Sequence, residues 1–86
     1  MARVEIYTQP GCPYCVHAVD ILRDKNVAFT EINAPRGTHE RDDAIRRSGG
    51  GTTVPQIFID EKAIGGCTDL MALDRSGLLN EMLGIA

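Results

Sequence analysis

The stretch Cys12-Pro13-Tyr14-Cys15 constrains this chain most, because it places two thiols between a strand pattern at residues 4–7 and a helix pattern that continues to about Lys25. If Pro13 opens the helix, the Cys12 sulfur faces the unpaired N–H groups of the first turn, which favour a thiolate of lowered pKa. Cys15, one turn further, can then attack a mixed disulfide formed by Cys12. The stretch therefore predicts a redox pair that can close and reopen.

Two other interpretations of the pair are structural cysteines and half of a zinc site. A zinc site would need two more ligands, and the sequence offers only Cys67, His17 and His39, without a second paired motif. We therefore predict redox chemistry and no metal ligands.

Composition limits the class of protein and its partners. With 86 residues, we expect one domain over residues 1–86, and no apolar stretch approaches the roughly 20 residues that cross a bilayer. The first residues enter a strand pattern without the hydrophobic region of a signal peptide, and three cysteines form a poor disulfide framework. We expect a cytoplasmic protein without membrane partners. Its net charge of −3 also implies no basic face for nucleic acid.

The first half of the chain has the pattern of a strand–helix–strand unit. Cys15, Ala18, Val19 and Leu22 fall at i, i+3, i+4 and i+7, which predicts the buried face of the first helix. A strand at residues 27–32 with Phe29 pointing inward should pair in parallel with the first strand through a crossover.

The next segment predicts a charged helix. Thr38 is a suitable N-cap, and the helix should continue to Arg47 with most of its surface in water. Its acids lie early and its arginines late, and we expect the i,i+4 ion pairs Asp42–Arg46 and Asp43–Arg47.

Residues 52–60 give the strongest strand pattern, in which Pro55 belongs at the start or the edge because proline cannot donate to a ladder. A cis Val54–Pro55 bond would leave the N–H and C=O of Val54 available to an extended peptide. A tight reversal at residues 60–62 should form an antiparallel hairpin with residues 63–64. We expect one helix to begin at Thr68 and a last one at about Ser76.

Three motifs in this order closely resemble the glutaredoxins, in particular the small bacterial dithiol type. They are Cys12-Pro13-Tyr14-Cys15, Thr53-Val54-Pro55 and Gly65-Gly66-Cys67-Thr68-Asp69. The resemblance implies an α/β thioredoxin fold, with a four-stranded mixed sheet flanked by helices. It also implies glutathione-dependent thiol-disulfide exchange on oxidised or glutathionylated proteins, by a monomer with no tightly bound cofactor and with glutathione as co-substrate.

The resemblance also implies roles for single residues. Cys12 would be the nucleophile and Cys15 the resolving thiol. Val54 would pair with the cysteinyl part of glutathione beside a cis Pro55, and Tyr14 would line the cleft. The remaining contacts would come from Thr53, Gly66, Cys67, Thr68 and Asp69, of which Thr68 and Asp69 would hold the γ-glutamyl carboxylate and ammonium.

The chain departs from the family at two expected cations. Gln9 stands where glutaredoxins commonly have a Lys, and Gly50-Gly51 stand where many have an Arg. Arg41 is then the best candidate to bind the glycine carboxylate, with Gln9 as a neutral donor.

Two further points stay open in the sequence. One alternative function is an iron–sulfur dimer held through Cys12 and glutathione, although Pro13 fits it less well than the Cys-Gly-Phe-Ser motif of the glutaredoxins specialised for it. Cys67 is expected to be a small buried residue, with regulatory oxidation or dimerisation as the alternative. A thioredoxin is disfavoured, since that family has Gly-Pro between its cysteines and this chain has no Trp.

Overall fold

The structure, a computed structural model, describes residues 2–85. Within these residues, four strands and four helices follow one another in the order that the sequence patterns predict. They are β1 (Val4–Thr8), α1 (Pro13–Asp24), β2 (Thr30–Asn33), α2 (His39–Arg47), β3 (Gln56–Ile59), β4 (Lys62–Gly65), α3 (Cys67–Ser76) and α4 (Leu78–Leu83).

The four strands form one mixed sheet in the order β2-β1-β3-β4. β1 pairs in parallel with β2, while β3 is antiparallel to both β1 and β4. Asp60 and Glu61 form the two-residue β3–β4 turn with φ of 50° and 68°, as hairpin turns that match the strand twist require. β1 is therefore an inner strand, and it leads directly to the loop that carries Cys12.

Helices cover both faces of the sheet. On one face, Ile6 and Ile57 pack against α1, α3 and α4, and the buried residues of α1 are the predicted Cys15, Ala18, Val19 and Leu22. Successive side chains of a strand point to opposite faces of the sheet. Because helices cover both faces, all four residues of β3 are buried.

α2 covers the opposite face through a smaller cluster of Tyr7, Ala34, Ala44 and Phe58. Arg47 completes it. Its guanidinium forms an ion pair with Glu5 at 2.8 Å, donates to the Tyr7 hydroxyl at 2.9 Å and lies 4.2 Å from the centre of the Phe58 ring. The predicted pair Asp43–Arg47 is therefore wrong. The predicted pair Asp42–Arg46 is wrong as well, because Arg46 pairs at i,i+3 with Asp43 instead.

Four element boundaries also differ from the sequence expectations. β2 begins at Thr30, opposite Glu5, rather than at residue 27, because in this parallel register residues 27 and 28 fall opposite residues 2 and 3, which precede β1. Phe29 is partly buried against the core, as expected. β3 begins at Gln56 rather than residue 52, after Pro55, which has no N–H for the ladder. α3 begins at Cys67 rather than Thr68, and α4 begins at Leu78 rather than about Ser76, because α3 continues to Ser76 and Gly77 in the left-handed conformation ends it. Within residues 2–85, no helix is long and apolar enough to span a bilayer.

Candidate functional site: a dithiol between two grooves

Cys12 is the N-cap residue of α1, with Pro13 in the first turn. Its sulfur accepts a hydrogen bond from the Cys15 N–H at 3.2 Å, and its carbonyl accepts from the Val16 N–H at 3.1 Å. A side-chain acceptor at this position satisfies one of the orphan donors of the first turn, and the helix dipole favours negative charge there. The predicted position of the sulfur at the helix start is confirmed.

The two cysteines are close enough to form a reversible bond. Their Cα atoms are 5.2 Å apart, and the structure joins the two sulfurs as a disulfide. Cys15 is only 3% exposed and belongs to the buried face of α1, while Cys12 is half-buried. The outer sulfur can therefore be reached by a substrate and the inner one cannot, which is the asymmetry that a nucleophile and a resolving thiol need.

A groove of about 300 Å³, which we call the proline groove, begins beside this sulfur. It is lined by Tyr14, Thr53, Val54, Pro55, Gly66, Cys67 and Thr68. All seven lining residues belong to the set that the sequence resemblance assigned to glutathione. Three separate segments of the chain therefore meet in one concave surface, and Tyr14 forms an exposed wall at 64% exposure.

Val54 occupies the end of this groove nearest the dithiol. The Val54–Pro55 bond is cis, as expected, and the Val54 carbonyl oxygen lies 3.8 Å from the Cys12 sulfur. Within residues 2–85, the N–H and C=O of Val54 form no hydrogen bond to other backbone groups. An extended chain whose own sulfur reaches Cys12 could therefore pair with them as an added strand.

The far end of the groove is the start of α3. Gly66 is the N-cap, and Thr68 lies within the first turn with an exposed side chain. The Asp69 carboxylate turns back to accept a hydrogen bond from the Gly66 N–H at 3.0 Å. A carboxylate has about four lone-pair sites, so this bond leaves capacity for an ammonium group.

Arg41 is 5% exposed and lies beneath three loops. Its guanidinium donates to Gln9 Oε1 at 2.9 Å, to the Ala34 carbonyl at 2.9 Å and to the Thr52 carbonyl at 3.0 Å. These bonds connect the loops after β1, after β2 and before β3. Gln9 therefore orients Arg41 through its oxygen, and its amide nitrogen remains a donor.

Among residues 2–85, no carboxylate oxygen lies within 4.0 Å of the Arg41 guanidinium. The ion pairs in this part of the chain join other residues. Arg41 also lines a groove of about 310 Å³ together with Arg36, Asp42 and Thr53. Thr53 lines the proline groove as well, so the two grooves adjoin. This guanidinium is a cation that an anionic group at that junction could use, although its position is fixed by the fold.

Sequence reasoning missed a second groove at the dithiol, of about 450 Å³, which we call the Glu31 groove. It is lined by residues 8–12, Val16, Glu31 and Asn33. In the sequence, Val16 was the one signal of this groove, because an apolar residue is unexpected on the polar side of α1. In the structure, Val16 is 61% exposed. Glu31 gave no such signal, because its proximity to Cys12 depends on how β1 and β2 pair.

Cys67 is 4% exposed and does not form a disulfide. Burial raises the pKa of its thiol above the ordinary value, so it stays protonated at neutral pH. This favours the expected small buried residue over a redox sensor. No group of three or more His, Cys, Asp or Glu side chains in residues 2–85 is arranged to hold a metal ion.

A dithiol at the start of the helix that follows an inner strand of this mixed sheet defines a class of protein, the thiol-disulfide oxidoreductases of the thioredoxin fold. Comparison with known proteins narrows the class. The Glutaredoxin family model matches residues 4–64. Glutaredoxin 3 of Escherichia coli strain K12 is 52% identical over 83 residues, which cover 96% of this chain and 99% of that relative. The chain belongs to the glutaredoxin family.

Solved structures agree with this assignment. The solution structure of glutaredoxin from Brucella melitensis superimposes with a TM-score of 0.82 at 46% identity, covering 96% of this chain and 89% of that one. A crystal structure of a buckwheat glutaredoxin–glutathione complex superimposes with a TM-score of 0.84 at 25% identity, covering 99% and 83%. The thioredoxin fold expected from the sequence motifs is confirmed.

Proposed function

We propose that this chain is a glutathione-dependent oxidoreductase that reduces glutathione mixed disulfides and protein disulfides, acting as a monomer in the cytoplasm. The observation that carries the proposal is the position of the Cys12 sulfur, 3.8 Å from the Val54 carbonyl, at the end of the proline groove. The buckwheat relative that shares the fold was solved as a complex with glutathione, which supports the same ligand here.

In the monothiol route, the Cys12 thiolate attacks the glutathione sulfur of a mixed disulfide. A Cys12–glutathione bond forms, the substrate–glutathione bond breaks, and the substrate leaves as a thiolate that takes up a proton. The thiolate of a second glutathione then attacks the bound glutathione sulfur. Oxidised glutathione leaves, and Cys12 returns as a thiolate, so one mixed disulfide and one glutathione yield one thiol and oxidised glutathione.

In the dithiol route, Cys12 first attacks one sulfur of a protein disulfide, and the other sulfur leaves as a thiol. Cys15 then loses its proton and attacks the Cys12 sulfur, which releases the substrate's second thiol and closes the Cys12–Cys15 disulfide. Two glutathiones reduce this disulfide and leave as oxidised glutathione. The contact of the two sulfurs in the structure supports the closing step.

The proposed binding of glutathione uses the proline groove along its length. Val54 pairs with the cysteinyl backbone, and the start of α3 receives the γ-glutamyl end through the N–H groups near Thr68 and the Asp69 carboxylate. The glycine carboxylate lies toward Arg41 and the Gln9 amide. Since Arg41 is fixed by three hydrogen bonds, it contributes its charge without moving.

The test is turnover of a small glutathione mixed disulfide with glutathione and glutathione reductase. We expect activity in the wild type, none in Cys12→Ser, and retained activity in Cys15→Ser, because the monothiol route does not use the inner sulfur. Cys15→Ser should lose the reduction of protein disulfides. Activity in Cys12→Ser, or turnover that depends on thioredoxin reductase rather than glutathione, would contradict the proposal.

A further inference from the structure

We infer that the Glu31 groove receives the polypeptide substrate, and that Glu31 selects substrates with a Lys or Arg next to the reacting cysteine. This inference rests on the proposed function, since it concerns what reacts with Cys12 while glutathione occupies the proline groove. The reasoning uses the topology of the sheet, the chemistry of exchange and the charge of the groove.

The two grooves lie on different sides of Cys12. Cys12 follows β1, which has β2 on one side and β3 on the other. The proline groove is lined from the β3 and α3 side, whereas Glu31 and Asn33 belong to β2. The two sets of lining residues have no member in common, and Cys12 itself lines the Glu31 groove.

Thiol–disulfide exchange needs room for two partners. The attacking sulfur and the leaving sulfur meet the central sulfur from opposite directions, and both belong to bulky molecules. In a disulfide between Cys12 and a peptide, the Cys12 sulfur is the central one; a glutathione thiolate that attacks it from the proline groove forms the Cys12–glutathione bond, and the peptide thiolate leaves on the opposite side of Cys12. The Glu31 groove is the described cavity at that position, and its volume of about 450 Å³ is large enough for two or three side chains.

The charge of the groove indicates the chemistry of that partner. Glu31 is the charged side chain among its lining residues, and within residues 2–85 it forms no ion pair. The buried Thr8 hydroxyl donates to Glu31 Oε2 at 2.8 Å, which orients the carboxylate and leaves further lone pairs available. An ammonium or guanidinium group is the complementary ligand.

The rest of the lining suits a polypeptide rather than a second glutathione. The exposed Val16 can pack against the methylene stem of Lys or Arg, and the Asn33 amide can bond to a peptide backbone. Glutathione carries two carboxylates, which the Glu31 carboxylate would repel. The groove therefore favours a peptide with a cationic residue beside its cysteine over an acidic one.

The experiment uses two peptides that differ only in a Lys or a Glu next to the cysteine, each activated at that cysteine as a disulfide with thionitrobenzoate, a leaving thiol of low pKa, so that Cys12 attacks the peptide sulfur and thionitrobenzoate leaves. The value of kcat/KM is compared for wild type, Glu31→Gln, Glu31→Lys and the control Glu81→Gln, which removes the same charge from the exposed side of α4. Glutamine keeps an oxygen for the Thr8 hydroxyl, so Glu31→Gln should fold normally. We expect Glu31→Gln to lower kcat/KM for the Lys peptide about three- to fivefold, as for an exposed ion pair.

Further outcomes separate this inference from the proposed function. Glu31→Lys should reverse the preference between the two peptides, and the control Glu81→Gln should keep the wild-type preference. A second arm measures how fast the Cys15→Ser protein traps each peptide as a disulfide in the absence of glutathione. Equal effects of Glu31→Gln and Glu81→Gln, or an unchanged preference in Glu31→Lys, would overturn the inference. If turnover with glutathione is lost while the rate of trapping still depends on the charge of the peptide, only the glutathione dependence of the proposed function is overturned.

Discussion

Replacing Arg41 by Met tests whether one buried cation holds the loops around the site together. The variant keeps the length of the side chain but removes three hydrogen bonds from a charged donor. The Ala34 carbonyl is buried and loses its donor, which costs about 1–3 kcal/mol, while the Gln9 and Thr52 oxygens are partly buried and can turn to water at a smaller cost. We expect a loss of about 3 kcal/mol in the free energy of unfolding.

That loss is large for a chain of this size, because net stabilities of small domains are only about 5–15 kcal/mol. It should lower Tm by roughly 10–20 °C. The measurement is urea unfolding at 25 °C, with Arg46→Met as the control on the same helix. Arg46 is exposed, and among residues 2–85 its guanidinium pairs only with Asp43, one turn earlier, so its replacement should cost less than about 0.5 kcal/mol.

A double-mutant cycle sharpens the test. Gln9→Met should cost about 1 kcal/mol in the wild type and almost nothing when Arg41 is already Met, because both changes remove the same hydrogen bond. If Arg41→Met is no more destabilising than Arg46→Met, or if the two Met substitutions add fully, Arg41 does not hold the loops in the way the structure indicates.

Three further predictions concern residues outside the dithiol. Burial and its raised pKa should keep Cys67 unlabelled by iodoacetamide in the reduced, folded protein at pH 7, and labelling as fast as in the unfolded chain would contradict this. Arg47 holds the pKa of Glu5 below its ordinary value, so the pair stabilises the fold above the unfolded-state pKa of about 4.3 and loses this effect as pH falls through the lower folded value. Glu5→Gln should therefore make the free energy of unfolding fall less steeply as the pH is lowered. Parallel curves for the two proteins would refute this prediction. Gly65→Ala should lower the free energy of unfolding, measured by thermal unfolding, by more than about 2 kcal/mol and by more than Gly37→Ala does. Both glycines have positive φ, but only at position 65 would the new Cβ meet a carboxylate. Equal losses in the two variants would contradict the clash.

The parts of the site that follow from local chemistry could be predicted from the sequence. The helix after Cys12 and its buried face depend on residue types and spacings within a few positions. The cis bond before Pro55 follows instead from the resemblance to the glutaredoxins. The resemblance of three motifs to the glutaredoxins implies all seven residues that line the proline groove.

The contacts made across the fold could not be predicted. Arg41 bonds to the carbonyls of Ala34 and Thr52, and a backbone carbonyl gives no signal in the sequence. Arg47 has an acid four residues before it that would make a good helical pair, yet it bonds to Glu5, which is 42 residues away. Tertiary burial determined that choice, since the Phe58 ring and the Tyr7 hydroxyl lie on the same side.

The two faces of the sheet are attached to their helices by different interactions. Three helices pack through aliphatic side chains, whereas α2 packs through its own Ala44 and Arg47 against Ala34 and the rings of Tyr7 and Phe58. A guanidinium denaturant carries the same planar cation and can occupy both the carboxylate and the ring, while urea has no charge to offer. The chain should therefore lose α2 to guanidinium chloride earlier than to urea, and with it the support beneath the loop that leads to Val54.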